Sequence, residues 1–209
     1  MDADAVEIRV LGCLIEKQRT TPDAYPLSLN ALRLACNQST NRDPVVEYDE
    51  GTIRAALERL DRKGWTRLAS GAGSRAAKYR HLLDEALGLP EPEMALLAVL
   101  MLRGPQTPGE LKQRAERLHP FPGLAEIEGT LESLIGRGLG KRLERRPGQK
   151  EQRYAQLLGG DDAAPGGEAA EAAPAPAPDA GLEERVERLE REIASLRSAL
   201  ESLGAQLDG

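Results

Sequence analysis

A mainly α fold with small β-hairpins, an α+β architecture built as two modules in tandem, is predicted by three observations. One pattern is written twice. Ile53, Leu57, Leu60 and Gly64 fall at steps of 4, 3 and 4, and Ile127, Leu131, Leu134 and Gly138 repeat those steps 74 residues later. Each copy is followed by a short β-like run, a Gly-containing basic turn and a second run ending near a Tyr, from Trp65 to Tyr79 and from Leu139 to Tyr154. Apolar steps of 3 and 4 mark a helix, and short runs about a Gly-bearing turn mark a hairpin. A helix followed by a two-stranded basic hairpin is the back half of a winged helix. The expected organisation is therefore two winged-helix domains, residues 1–84 and 85–158, then a disordered linker, 159–181, and a coiled-coil helix, 182–207.

Each element has its own justification. Val6, Val10, Leu11, Leu14 and Ile15 predict a first helix over 5–17, which Thr21-Pro22-Asp23 breaks. Leu29, Leu32 and Ala35-Cys36 mark a second, with Ser28 as its cap. Asp43-Pro44 blocks helix in the polar segment that follows. Asp49 caps a third helix that Gly64 ends, and two strands flank Ser70-Gly71-Ala72-Gly73-Ser74. In the second module Met94 to Leu102 is a strongly apolar helix. Thr107-Pro108-Gly109-Glu110 combines a capping residue, a proline suited to the first helical position and the acid of a capping box. His119-Pro120-Phe121-Pro122-Gly123 ends that helix. A third spans about Leu124 to Arg137, and strands flank Arg146-Pro147-Gly148-Gln149.

Gly, Ala, Pro and acid dominate residues 159–181 and cannot build a core. A flexible chain of that length would span about 25–30 Å r.m.s.. Leu182, Val186, Leu189, Ile193, Leu196, Leu200, Leu203 and Leu207 then alternate steps of 4 and 3. With Val186 at position a, the a positions hold Val186, Ile193, Leu200 and Leu207 while d is Leu throughout. That pattern favours a parallel two-stranded coil and homodimerisation, with Arg185 facing Glu190 and Glu192 facing Arg197 of a partner. The other reading is one amphipathic helix folding back on its own body.

The net charge of −6 is unevenly divided. Residues 1–160 hold 24 Lys/Arg and 22 Asp/Glu, whereas 161–209 hold 4 and 12. Residues 51–82 carry eight basic and two acidic groups, and 137–153 carry seven and two. Local field rather than whole-chain charge decides whether a phosphate backbone is attracted. No stretch reaches the roughly 18 apolar residues of a membrane span, and the acidic Met1-Asp2-Ala3-Asp4 start lacks a signal-peptide n-region, so a cytoplasmic protein is expected. Cys13, Cys36, His81 and His119 are too scattered for a zinc site; both cysteines read as small core residues. No metal and no cofactor are expected. With no Gly-rich phosphate loop followed by Lys, and no nucleophile or paired acid near either His in sequence, neither is catalysis.

In a winged helix the third helix usually enters the major groove while the hairpin touches backbone or minor groove. The corresponding candidates are Arg54, Arg59 and Arg62 on helix 49–63, then Arg67, Arg75, Lys78 and Arg80 on the first hairpin, and Lys141, Arg142, Arg145, Arg146, Lys150 and Arg153 on the second. Arg54 or Arg59 could read guanine. Glu58 and Asp61 oppose that role, and a solvated face of Glu/Arg pairs is the competing reading. Asn37-Gln38-Ser39-Thr40-Asn41-Arg42 could bond a ligand, a base or a peptide, or could brace its own loop; bracing is favoured.

Leu27-Ser28-Leu29-Asn30-Ala31-Leu32, Ala35-Cys36-Asn37-Gln38 and Asn41-Arg42-Asp43-Pro44-Val45 resemble the YceH family of bacterial proteins. The likeness continues through Arg103-Gly104-Pro105-Gln106-Thr107-Pro108-Gly109-Glu110-Leu111 and Glu151-Gln152-Arg153-Tyr154, covering about residues 5–155. The chain departs from that pattern at Ser39, where relatives often carry Lys, and is shorter around Gly138-Leu139-Gly140. The resemblance implies tandem winged-helix folds and no particular activity. The expected function is DNA binding as a dimer in transcriptional regulation, and the alternative is a protein-interaction scaffold of the same fold.

Overall fold

Local chemistry sets the ends of each helix. In the computed structural model, which describes residues 3–69, 77–145 and 151–159, helix α1 spans Ala5–Thr20. Asp4 accepts from the Glu7 N–H at 2.8 Å while Glu7 accepts from the Asp4 N–H at 2.7 Å, a reciprocal capping box. The helix runs three residues beyond the sequence expectation before Thr21-Pro22 ends it. A two-residue strand β1, Leu27–Ser28, leads into α2, Leu29–Cys36, capped by Ser28. Helix α3, Glu50–Arg62, is capped by Asp49, whose carboxylate accepts from the Thr52 N–H at 2.6 Å. Strands β2, Thr66–Leu68, and β3, Lys78–His81, follow, and then α4, Leu83–Leu87, a short helix the sequence pattern did not announce.

The second half repeats the order. Helix α5 is Glu91–Arg103, α6 is Pro108–Ala115, α7 is Leu124–Gly136, and β4, Gly140–Arg142, and β5, Tyr154–Gln156, close it. Thr107 and Glu110 form the expected capping box on α6. The fold is thus α+β, mostly helical, with two small antiparallel sheets. In the first, β3 lies between β1 and β2, pairing Leu27 with Tyr79 and Thr66 with His81. In the second, β4 pairs with β5, and Gln106 bridges Tyr154 where β1 meets Tyr79 in the first.

The repeat extends to atoms. Gly64 and Gly138 take φ of +70° and +71°, the left-handed region that glycine enters at least cost. The next N–H, from Trp65 or Leu139, returns to the carbonyl of Leu60 or Leu134, each at 2.9 Å, so both third helices end in one manner. Glu7 and Glu93, each the third residue of its helix, are both buried. Glu7 accepts from Lys63 Nζ at 2.8 Å and lies 3.7 Å from Arg59 Nε; Glu93 accepts from Ser133 Oγ at 2.7 Å and lies 3.6 Å from Arg137 Nε. Residues 59 and 63 correspond to 133 and 137 in the repeat.

One continuous core serves both halves. Glu7 through Ile15 of α1 and Glu93 through Leu102 of α5 are buried without interruption, which marks central helices rather than amphipathic surface ones. They pack on each other at Gly12, where a Cβ would lie 2.9 Å from Leu102 Cγ and 3.2 Å from Met101 Cβ. Further ties cross between the halves. Ala3 N–H donates to the Leu158 carbonyl at 3.0 Å, Asp43 N–H donates to that of Leu102 at 2.9 Å, and Arg19 pairs with Glu91 at 2.7 Å. Among the described residues no helix is long and apolar enough to cross a membrane.

Candidate nucleic-acid interface

The way α3 packs on the core determines what it presents outward. Ile53, Ala56, Leu57 and Leu60 are buried, so Arg54, Glu58, Asp61 and Arg62 occupy the exposed side. Arg54 and Arg62 make no ion pair among the described residues. Arg67, exposed on β2 beside exposed Leu68, likewise meets no carboxylate among them. These three arginines and the half-buried Lys78 belong to contiguous elements, α3, β2 and β3.

The remaining candidates divide differently. Arg59 bends back to the start of α1, 2.6 Å from Asp4, and so holds α3 against α1. Arg80 pairs with Glu85 at 3.0 Å. Arg142 hydrogen-bonds Glu132 and lies 5.6 Å from the Tyr154 ring centroid. Arg153 donates to the Pro105 carbonyl at 2.8 Å and sits 3.3 Å from Glu110. Lys141 is half-buried in β4, and Arg145 is exposed. Arg75, Arg146 and Lys150, together with the eight heptad positions from Leu182 to Leu207, lie outside the described residues.

The third helices of the two halves differ in charge. The exposed side of α7 carries Glu126, Glu128 and Glu132 with Leu124 and no basic residue. Such a surface repels a phosphate backbone. The two copies, alike in fold, therefore offer a duplex unlike surfaces.

The polar loop between α2 and α3 is braced. Asn37 donates to the Tyr48 carbonyl at 2.8 Å and accepts from its N–H at 2.9 Å. The Arg42 side chain is wholly buried. It reaches Glu16 through Nη2 at 2.6 Å and Nη1 at 3.1 Å, and also bonds Gln38 and the carbonyls of Ala35 and Asn41. Burial opposes ionisation of Glu16, yet the hydrogen bonds and charge of Arg42 hold its carboxyl below the usual carboxylate range. Arg9, also buried, bonds the carbonyls of Cys36 and Pro44. Neither arginine stood among the nucleic-acid candidates; a Glu16–Arg42 pair 26 residues apart leaves no periodic trace.

Other titratable groups are structural too. The Cys36 thiol is pushed up by its hydrogen bond with Cys13 and by burial. Burial holds His81 down at about 4, against the weaker upward pull of Asp84. Among the described residues there is no cluster of three or more His, Cys, Asp or Glu that could hold a metal ion.

An α+β protein with an internally repeated unit of three helices and an antiparallel hairpin, whose first copy carries arginines that meet no carboxylate among the described residues, is the class that fold and surface define. The chain belongs to the family described as protein of unknown function, DUF480, whose profile matches residues 3–149 and which the YceH likeness also indicates. It is 52% identical over 205 residues to a UPF0502 protein of Pelobacter propionicus, covering 97% of this chain and 93% of that one. A UPF0502 protein of Geotalea daltonii is 58% identical over 158 residues, covering 75% and 72%. One from Azoarcus is 47% identical over 217 residues, covering 99% and 95%.

Proposed function

We propose that this is a tandem winged-helix protein that binds duplex DNA through its first half and acts as a dimer in transcriptional regulation. The element order α1–β1–α2–α3–β2–β3, repeated as α5–α6–α7–β4–β5 with the Gln106 bridge standing for the first strand, supports the winged-helix reading. The observation that carries the DNA reading is the exposed set Arg54, Arg62 and Arg67, which no carboxylate engages among the described residues. In this reading α3 approaches the groove and the β2–β3 hairpin follows the backbone. The heptads over 182–207 join two such chains.

Fluorescence anisotropy with a labelled mixed-sequence duplex tests it. Binding should fall steeply as salt rises, through counterion release. A variant with Arg54, Arg62 and Arg67 all changed to Ala should lower the salt slope by up to about 3, roughly one for each phosphate no longer neutralised. No binding at about 50 mM salt by a folded protein would sink the reading.

The acidic face of α7, with Leu124 48% exposed, favours a second reading, docking of a protein partner. A Glu126→Lys, Glu128→Lys variant would then lose its partner in a pull-down while duplex affinity held.

A further inference from the structure

A groove of about 620 Å³ opens where the two halves meet. It is walled by the last turns of α1 and α5, the α2–α3 loop, and α6 with the segment after it. That volume lies within the roughly 300–1,000 Å³ usual for small-molecule sites, which favour such junctions. None of the residues assigned above to DNA lines it. Four of its side chains are cationic: Lys17, Arg103, Arg114 and Arg117. Its one carboxylate, Glu16, is already held by buried Arg42 through two hydrogen bonds.

The four cations are poorly answered. Arg117 makes no ion pair among the described residues. Among the described residues the Arg103 side chain hydrogen-bonds only the neutral amide oxygen of Asn41. Arg114 lies 3.6 Å from Glu110, a carboxylate that Arg153 also approaches at 3.3 Å. Lys17 sits 3.5 Å from Glu16, behind Arg42. The Arg103 pKa is lowered, first by burial and then by the charges of Arg114 and Arg42. Helices α1, α5 and α6 end among or beside the lining residues, and a helix C-terminus carries about half a negative charge. That offsets part of four full positive charges and explains why cations are tolerated there. It leaves a net attraction for anions.

We propose that this groove binds a small phosphate-bearing metabolite carrying at least two negative charges. Arginine guanidinium groups match phosphate oxygens in pairs. The amide of Gln38 and those of Gln113 and Asn41 on the same walls can hydrogen-bond a polar body attached to the phosphates. The inference is independent of DNA binding, since it uses other residues and a ligand of other size.

Isothermal titration of the full chain with inorganic pyrophosphate, at constant ionic strength, is the test, with citrate as a non-phosphate anion. Expected are saturable binding at one site per chain, weaker binding of citrate, and a loss of tenfold or more in affinity for Arg103→Gln and for Arg117→Gln. Both variants should keep the wild-type urea midpoint within error and wild-type affinity for duplex DNA. Absence of saturable heat, or affinity unchanged in both variants, would overturn the site. Equal binding of citrate would overturn the phosphate assignment, and loss of duplex binding in either variant would make the groove part of a DNA surface instead.

Discussion

Replacing Arg42 by Met should cost more stability than any surface change in the protein. The side chain is 0% exposed and makes five hydrogen bonds, two to Glu16, one to Gln38 and two to the carbonyls of Ala35 and Asn41. Methionine fills similar volume, so cavity formation is a small part of the loss. The larger part is what remains behind: a carboxylate only 17% exposed that keeps Lys17 at 3.5 Å as its one remaining cation among the described residues, and two carbonyls that have lost the Arg42 donors. Breaking one side of a buried ion pair costs roughly 3–5 kcal/mol. Because water can still reach Glu16 in part, the lower end, about 3 kcal/mol, is the expected value.

Trp65 is the sole tryptophan and is buried, so its fluorescence reports urea unfolding directly. With an m-value of about 2 kcal/mol/M, the midpoint should fall by about 1.5 M. A second change, Glu16→Leu in the Arg42→Met background, removes the stranded charge and should restore more than half of the loss. The acid limb gives a further check. Glu16 has a folded pKa below its unfolded value of 4.5, so its contribution is complete above pH 4.5 and is lost as pH falls through the folded pKa. Arg42→Met should flatten that part of the profile. A midpoint shift under about 0.5 M, equivalent to less than 1 kcal/mol, would refute the claim that this pair fastens the α2–α3 loop to α1.

Three other outcomes follow from the same structure. Burial holds the folded His81 pKa down at about 4 against 6.5 unfolded, with the upward pull of Asp84, 3.4 Å from Nδ1, already contained in that value, so the unfolded chain takes up the proton first and stability falls as pH drops from about 6.5 to 4, by up to roughly 3 kcal/mol. Urea midpoints at pH 7.5 and 5 should differ less in His81→Gln, and an equal difference would refute the assignment. Gly12→Ala gains about 1 kcal/mol of helix propensity but forces α1 from α5, an overpacking cost of about 1–3 kcal/mol, so the midpoint should fall; a rise would mean the helices part freely. Ending the chain at Gly181 should halve the sedimentation mass, and an unchanged mass would eliminate the heptads as the dimer contact.

Local features were legible because their causes are local. Asp49, Ser28 and Thr107 cap helices through hydrogen bonds three residues away, and Gly64 and Gly138 stop helices through their own φ. The 74-residue echo exposed the repeat without any partner being known. What stayed hidden depends on distant chain meeting. Arg59 looked outward by helical phase, yet its long side chain reaches back to Asp4, 55 residues earlier. Continuous burial in α1 could not be read from apolar spacing, since Glu7 and Arg9 lie inside it as satisfied or partly satisfied charges. The groove draws on four separate segments, and no single stretch advertises it.

The duplication also separates scaffold from surface within one molecule. Positions that hold the unit together match between the copies: a buried Glu at the third residue of the first helix, a left-handed Gly after the third, and a Tyr on the return strand bridging the start of the second. Positions facing solvent on the third helices mostly do not match, the exposed Glu58 and Glu132 apart. Where α3 shows Arg54 and Arg62 among acids, α7 shows Glu126, Glu128 and Glu132 with no basic residue. Fold alone cannot require that difference, because both helices bury the same apolar spacing against the same kind of core. A duplex that approached the α7 face closely would meet exposed carboxylates, whose charge acts over roughly 10 Å at ordinary salt. Within the second copy it is therefore the α7 face, rather than the basic hairpin that follows it, that is better suited to a cationic or apolar surface than to a phosphate backbone.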